Sequence, residues 1–135
     1  MVRMVGQSEA AEDIIRDSNK GELNKLAADI FRVLVVDHGV CWRSELERDL
    51  LKILLFSGQP SPPNEKIDEA LKILKDSGLI DIEDRKRGDW PRMDVYMDQF
   101  LKLKDLAKAR RALEHDQLFL SYSLARQRKI HDALG

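Results

Sequence analysis

One cysteine in 135 residues, Cys41, leaves no partner for an internal disulfide. A thiol-poor chain fits a reducing compartment, so a cytoplasmic location is expected. Long apolar runs are also missing. No stretch approaches the ~18 residues that a membrane-crossing helix needs. The first residues, Met1-Val-Arg-Met-Val-Gly6, lack the apolar segment of a secretory signal. No membrane partner is expected. The seven glycines are scattered, so there is no glycine-rich loop to cradle a phosphate. No serine stands in a nucleophile-elbow pattern. His38 and Cys41 have a His-x-x-Cys spacing, but a zinc site of that kind needs a second pair and none follows. His115 and His131 have no ligand or catalytic partner at a telling spacing. Carboxylate pairs such as Glu45 and Asp49 lie on helix faces that default to solvent. The chain is therefore expected to hold no metal or cofactor and to be no enzyme.

What is abundant is charge. Asp, Glu, Lys and Arg make up 35% of the chain, against 43% hydrophobic residues, enough of the latter for one core. The formal net charge of −1 conceals a division. Residues 1–84 hold 11 Lys/Arg and 17 Asp/Glu, whereas residues 85–135 hold 12 and 7. An acidic body followed by a basic remainder bears on partners rather than on fold.

Helical periodicity recurs through the first part. Ser8–Asp17 reads as a short helix capped by Ser8, with Ala11, Ile14 and Ile15 inward. Glu22–His38 follows, its Leu23, Leu26, Ala27, Ile30 and Leu34 at helical spacing and Gly39 as its stop. Val40-Cys-Trp42 reads as a short extended piece. Ser44-Glu-Leu-Glu47 matches a capping box that would open a helix to about Phe56, with Leu46, Leu50, Ile53 and Leu54 on one face. The proline-rich Ser57–Pro63 is a loop. A helix over 64–77 buries Ile67, Ala70, Leu71 and Leu74 and ends at Gly78.

The segment from Gly78 to Met97 carries the most information. Leu79–Glu83 and Met93–Met97 alternate apolar and polar residues around Arg85–Arg92, which holds Gly88, Trp90 and Pro91. Such a pattern predicts a β-hairpin with a long basic loop. Arg85, Lys86, Arg87 and Arg92 outnumber Asp89 there and suit phosphate contact. Trp90 either stacks on a base or folds back over the hairpin. After it, Asp98 is placed to cap a helix, and no proline or glycine interrupts Gln99–Leu134. A helix over 99–133 would run about 50 Å at ~1.5 Å per residue, longer than the domain is wide. Leu106, Leu113 and Leu120 recur every seven residues, with Leu103 and Leu124 on an adjacent row, so the helix is expected to pack partly on its own domain and partly on a second chain. Arg126, Arg128 and Lys129 form a second basic patch near the C-terminus.

Three helices, a strand between the first two, a basic hairpin and a further helix resemble the winged helix-turn-helix superfamily over roughly residues 22–105. Ala70-Leu-Lys-Ile-Leu-Lys-Asp-Ser-Gly-Leu-Ile80 and Val95-Tyr-Met97 are similar to stretches of MarR- and PadR-type regulators. The expected fold is thus mainly α (α+β): an N-terminal extension with a short helix over 1–21, a winged-helix domain over 22–97 and a long helix over 98–135. The resemblance implies a recognition helix over 64–77 that turns Asn64, Lys66, Lys72 and Lys75 to the groove. It also implies a wing at Arg85–Arg92 and dimerisation through the last helix, with Leu106, Leu113, Leu120 and Leu124 between subunits. Double-stranded DNA and a second copy are the partners implied, in an archaeal-type transcriptional regulator or a chromatin-associated protein. Two departures stand out. Ser57–Pro63 is longer than the family's usual 3–4-residue turn. Helix 64–77 carries Glu65, Asp68, Glu69 and Asp76 against three lysines, and carboxylates between phosphate walls are repelled. The alternative expectation is a winged helix that binds a basic protein partner through the acidic helix 64–77, as an adaptor in a replication, transcription or translation complex.

Overall fold

The computed structural model describes residues 7–89 and 94–134. Among these it is mainly helical, with one small antiparallel sheet. Its elements run α1 (Gln7–Arg16), a 3-10 turn (Asp17–Asn19), α2 (Glu22–Val36), β1 (Val40–Trp42), α3 (Arg43–Phe56), α4 (Asn64–Asp76), β2 (Ile80–Asp89), β3 (Asp94–Leu103), α5 (Leu106–Ala112) and α6 (Gln117–Leu134). No described helix is long and apolar enough to cross a membrane.

Helix α2 is the centre. Every residue from Leu26 to Val35 is buried, so the helix has no solvent face along that stretch. The expected inward stripe is real, but α1 and α5 cover what would have been its outer side. Ala11 of α1 and Ala109 of α5 join Phe31, Ile30, Leu34, Leu46, Ile53 and Leu74 in one core. Helix α4 turns in Ile67, Ala70, Leu71 and Leu74, as its periodicity predicts. It ends in a Schellman turn in which Leu79 N–H donates to the Leu74 carbonyl at 3.0 Å. Gly78 sits there at φ 77°, a left-handed conformation that a side chain would strain.

The sheet order is β1-β3-β2. Residue pairs run from Ile80 with Leu103 to Asp89 with Asp94, and from Val40 with Lys102 to Trp42 with Phe100. Both hairpin strands are therefore longer than the alternation alone predicts. Arg85, Lys86 and Arg87 lie inside β2 opposite Asp98, Met97 and Tyr96, not in a loop. Phe100-Leu-Lys-Leu103, read in the sequence as the start of a helix, is the central strand. Pairing on both sides buries Leu101 and Leu103, which a helix at this position would not do.

The single last helix is also corrected. Residues 104–105 leave β3, and the Asp105 carboxylate accepts from Lys108 N–H at 3.0 Å to cap α5. The chain breaks again at Leu113–Asp116. There Asp116 Oδ2 accepts from Phe119 N–H at 2.9 Å, capping α6, and both Asp116 oxygens receive Arg32 (2.7 and 3.0 Å). Arg32 also donates to buried Asp29 at 2.8 Å. Absence of proline and glycine removed a stop signal but did not supply a helix, whereas two aspartates supplied two new starts.

Burial works against the charge of Asp116, but the Arg32 and Phe119 hydrogen bonds outweigh it and hold its carboxyl below the ordinary 3.8. Arg32→Ala leaves Asp29 and Asp116 without their partner in the interior. It should cost about 3–5 kcal/mol of unfolding free energy, read from the urea midpoint at neutral pH.

Candidate nucleic-acid interface

Strand alternation gives the hairpin two unlike faces. One carries Ile80, Ile82, Leu101 and Leu103 over the core and continues outward as Lys86, Val95 and Met97, all three exposed. The other carries Arg85, Arg87, Tyr96, Asp98 and Phe100. This second face is a cation–aromatic ladder. Trp42 of β1 meets Phe100 edge-on at 5.1 Å between ring centroids. The Arg85 guanidinium lies 4.3 Å from the Phe100 ring centroid and Arg87 4.7 Å from that of Trp42.

Arg87 is also held by carboxylates. It donates to Glu45 at 2.8 Å, to Asp98 at 3.2 Å and to Ser44 Oγ at 3.1 Å. Asp98 in turn accepts from Ser44 Oγ at 2.5 Å and from Ser44 N–H at 3.3 Å. The capping box expected within α3 is thus replaced. Helix α3 begins two residues earlier, with Trp42 at its N-cap position, Ser44 lies inside its first turn, and the carboxylate at its N-terminus comes from β3. Asp98 was expected to cap a helix after the hairpin and instead serves the one before it. Burial acts to raise the Asp98 carboxyl, yet hydrogen bonds from Ser44, Arg87 and Gln99 N–H prevail and hold it below 3.8.

The expected phosphate contacts therefore divide. Arg85 bonds Glu83 at 2.6 Å and Arg87 is locked as described, so both are neutralised by the chain's own carboxylates. Lys86 makes no ion pair among the described residues. Trp90 and Arg92 lie outside the described residues. On α4, Asn64, Lys66, Lys72 and Lys75 are all exposed, and Lys66 approaches Glu69 at 3.6 Å. Asp68 of the same helix is bound by Arg43 of α3 at 3.0 Å. Among the described residues, none of these lysines bonds to the hairpin.

The expected subunit contacts divide too. Leu113 is fully buried in its own core and has no surface left for a second chain, and Leu106 packs half-buried against that core. The sequence period of seven merged one intramolecular turn with one surface turn. Leu120 and Leu124 are exposed on α6. Helix α6 touches the body through Leu118, Phe119 and Tyr122, the last meeting Phe56 edge-on at 5.5 Å, and from Arg126 onward it is exposed.

No protein-family model, curated protein or solved structure matches the chain.

Asp98→Ala removes the cap of α3 and one carboxylate of the Arg87 clamp, and should cost about 1–2 kcal/mol. The sign with pH follows from the lowered carboxyl. Its stabilisation is fully present above 3.8 and is lost as pH falls through the still lower folded value. Thermal melts of wild type and Asp98→Ala should differ most at pH 5–7 and converge as the pH falls below that folded value.

Proposed function

We propose that this chain is a winged-helix DNA-binding protein that works as a homodimer, in transcriptional regulation or at chromatin. One observation carries the reading. The order α2-β1-α3-α4-β2-β3, with sheet order β1-β3-β2, fits the layout expected of a winged helix, and its hairpin is fixed to the body by the Arg87–Asp98–Ser44–Glu45 clamp. Strands of ten residues reach about 33 Å, so the distal half stands clear of the core.

The role of the cations changes with the clamp. Arg85 and Arg87 stiffen the wing, while Lys86 and Arg92 meet phosphate, Trp90 reaches a groove, and Val95 and Met97 lie against the backbone sugars. Asn64, Lys66, Lys72 and Lys75 present α4. The exposed Leu120 and Leu124 of α6 pair the subunits. Basic residues beyond Arg85 supply the long-range attraction, because most of the chain's carboxylates lie before it.

Binding of a labelled mixed-sequence duplex, followed by fluorescence anisotropy, should weaken about 10³-fold between 50 and 200 mM salt for a dimer that neutralises six phosphates. Lys86→Glu and Arg92→Glu should each lower the log–log salt slope by about 1 for every phosphate no longer neutralised. A flat slope overturns the reading. Light scattering should give a dimer that Leu120→Glu with Leu124→Glu converts to a monomer.

A second reading is favoured by the acidic exposed side of α4, where Glu65, Glu69 and Asp76 make no ion pair to another element among the described residues. Here the winged helix binds a basic protein partner as an adaptor. Glu65→Lys with Glu69→Lys should then abolish partner pull-down and leave any duplex affinity intact. Under DNA binding the same reversal should tighten the duplex.

A further inference from the structure

Strand β2 (Ile80–Asp89) pairs with β3 on one side only, and among the described residues no strand lies along its other side. An edge of this kind is a template for another strand. Which groups it offers follows from the ladder. Lys104 N–H donates to the Leu79 carbonyl at 3.0 Å, so the odd-numbered residues of β2 are the ones bonded to β3. The N–H and C=O groups of Ile82, Asp84, Lys86 and Gly88 therefore point to the open side.

Charge on an edge strand ordinarily keeps other strands away. Here the charge is divided along the strand. Asp81, Glu83 and Asp84 come first, and Arg85, Lys86 and Arg87 follow. Antiparallel pairing of the strand with itself inverts one copy and sets acid against base. Two of these charges have no use in their own chain. Asp84 and Lys86, both exposed, make no ion pair among the described residues. By contrast, Asp81 is held by Lys104 at 3.7 Å, Glu83 holds Arg85 at 2.6 Å, and Arg87 is clamped by Glu45 and Asp98. Asp84 and Lys86 lie on the core-side face of the hairpin. Farther out on that same face Val95 and Met97 are 69% and 60% exposed, two large apolar side chains without cover.

We propose that β2 pairs antiparallel with β2 of a second copy of this chain, about a two-fold axis at Arg85, so that Asp84 of each strand stands opposite Lys86 of the other. The sheet then runs β1-β3-β2-β2-β3-β1 through both copies. Charge selects the register. Like faces must meet, so the axis passes through a residue and not between two. An axis at Asp84 would set Asp84 against itself, and one at Lys86 would set Lys86 against itself. At Arg85, Glu83 also faces Arg87, and Ile82 faces Gly88. A Cβ at Gly88 would meet nothing within 4 Å in its own chain, and its absence leaves room for the facing isoleucine. The two Arg85 side chains meet at the axis, each already neutralised by its own Glu83 and lying 4.3 Å from the Phe100 ring centroid. An axis perpendicular to the sheet keeps both bodies on one side of it. The body of the second copy thus comes alongside the distal half of the first hairpin, on the face that bears Val95 and Met97. A hairpin paired in this way cannot offer Lys86 to phosphate, so second copy and duplex exclude each other at this strand.

Backbone hydrogen bonds and charge pairs hold this contact, so it is strongest at low ionic strength. Sedimentation velocity of the full chain should show concentration-dependent association at about 20 mM salt that falls away near about 200 mM, where the apolar α6 contact is read. Asp84→Lys sets lysine against lysine and Lys86→Asp sets aspartate against aspartate, so each variant alone should associate about tenfold more weakly. An equimolar mixture of the two should regain the association, since every facing pair at 84 and 86 is then of unlike charge. Recovery in the mixture excludes misfolding as the cause of the loss. Residues facing each other at the axis lie about 4.5 Å apart between Cα atoms, within disulfide range. Arg85→Cys should therefore cross-link into a dimer under mild oxidation, and Glu83→Cys should not; the native Cys41 is buried and does not compete. No low-salt association in the wild type, a mixture no tighter than its components, or a cross-link as efficient at residue 83 as at 85 overturns the proposal. The contact does not rest on DNA binding, which the duplex salt titration tests alone, and Leu120→Glu with Leu124→Glu should leave it intact at low salt.

Discussion

The carboxylate of Asp98 ties together parts of the molecule that the chain order keeps apart. It sits in β3, receives the first turn of α3 through Ser44 and holds Arg87 from β2. Each contact is possible only because the others are made. The N–H groups of a helix start need an acceptor, a guanidinium on an exposed strand needs an anion, and one partly buried carboxylate meets both demands. With Glu45 closing the far side of Arg87, hairpin and helix become one rigid unit. The aromatic rings of Trp42 and Phe100 fill the space under the two arginines. Charge that looks like a ligand surface in one dimension is therefore part of the scaffold in three.

A second polar knot does the same on the other side of the core. Arg32 lies in the most buried helix, where a charge survives only if it is fully paired. Asp29 and Asp116 pair it, and Asp116 also starts α6. The direction of the last helix is thus set by a residue 84 positions away in sequence. Beyond that knot α6 relies on a few half-buried side chains and then runs free, which is the kind of element that a second chain or a partner completes. These two knots differ from the Asp37–Asp49 pair, where carboxyl meets carboxyl. Two of the three sites satisfy their charges with a buried or partly buried arginine, whereas in the third the only close cations, Arg48 and Lys52, approach Asp49 alone, at 3.7 Å among the described residues.

Much of the fold was legible along the chain. The existence and core faces of α2, α3 and α4, the loop at 57–63, the stop at Gly78 and the existence of the hairpin followed from apolar spacing and from glycine and proline positions, whereas the start of α3 did not. What misled was reliance on one kind of signal. Leu101-Lys-Leu-Lys104 alternates apolar and polar as Ile80-Asp-Ile-Glu83 does, yet the lack of a breaker after it drew residues 99–103 into a helix. Leu106, Leu113 and Leu120 keep a heptad in sequence, but a four-residue interruption at Leu113–Asp116 places them on different elements. The candidate interface was less legible, because only neighbours in space decide whether an arginine is free.

Local chemistry along the chain set which segments of the first ninety or so residues are helical or extended, where most of them stop, and how acid and base are segregated. Such properties depend on the period of side-chain burial and on backbone-restricted residues, and both act within a few positions. Three-dimensional packing settled the rest. It made Arg85 and Arg87 braces of the hairpin while leaving Lys86 without an ion pair among the described residues, turned Asp98 back to cap an earlier helix, and brought Asp37, Cys41 and Asp49 together. These are pairings between distant positions. Coulombic attraction and hydrogen bonding fix them only after the core has brought their elements within a few ångströms.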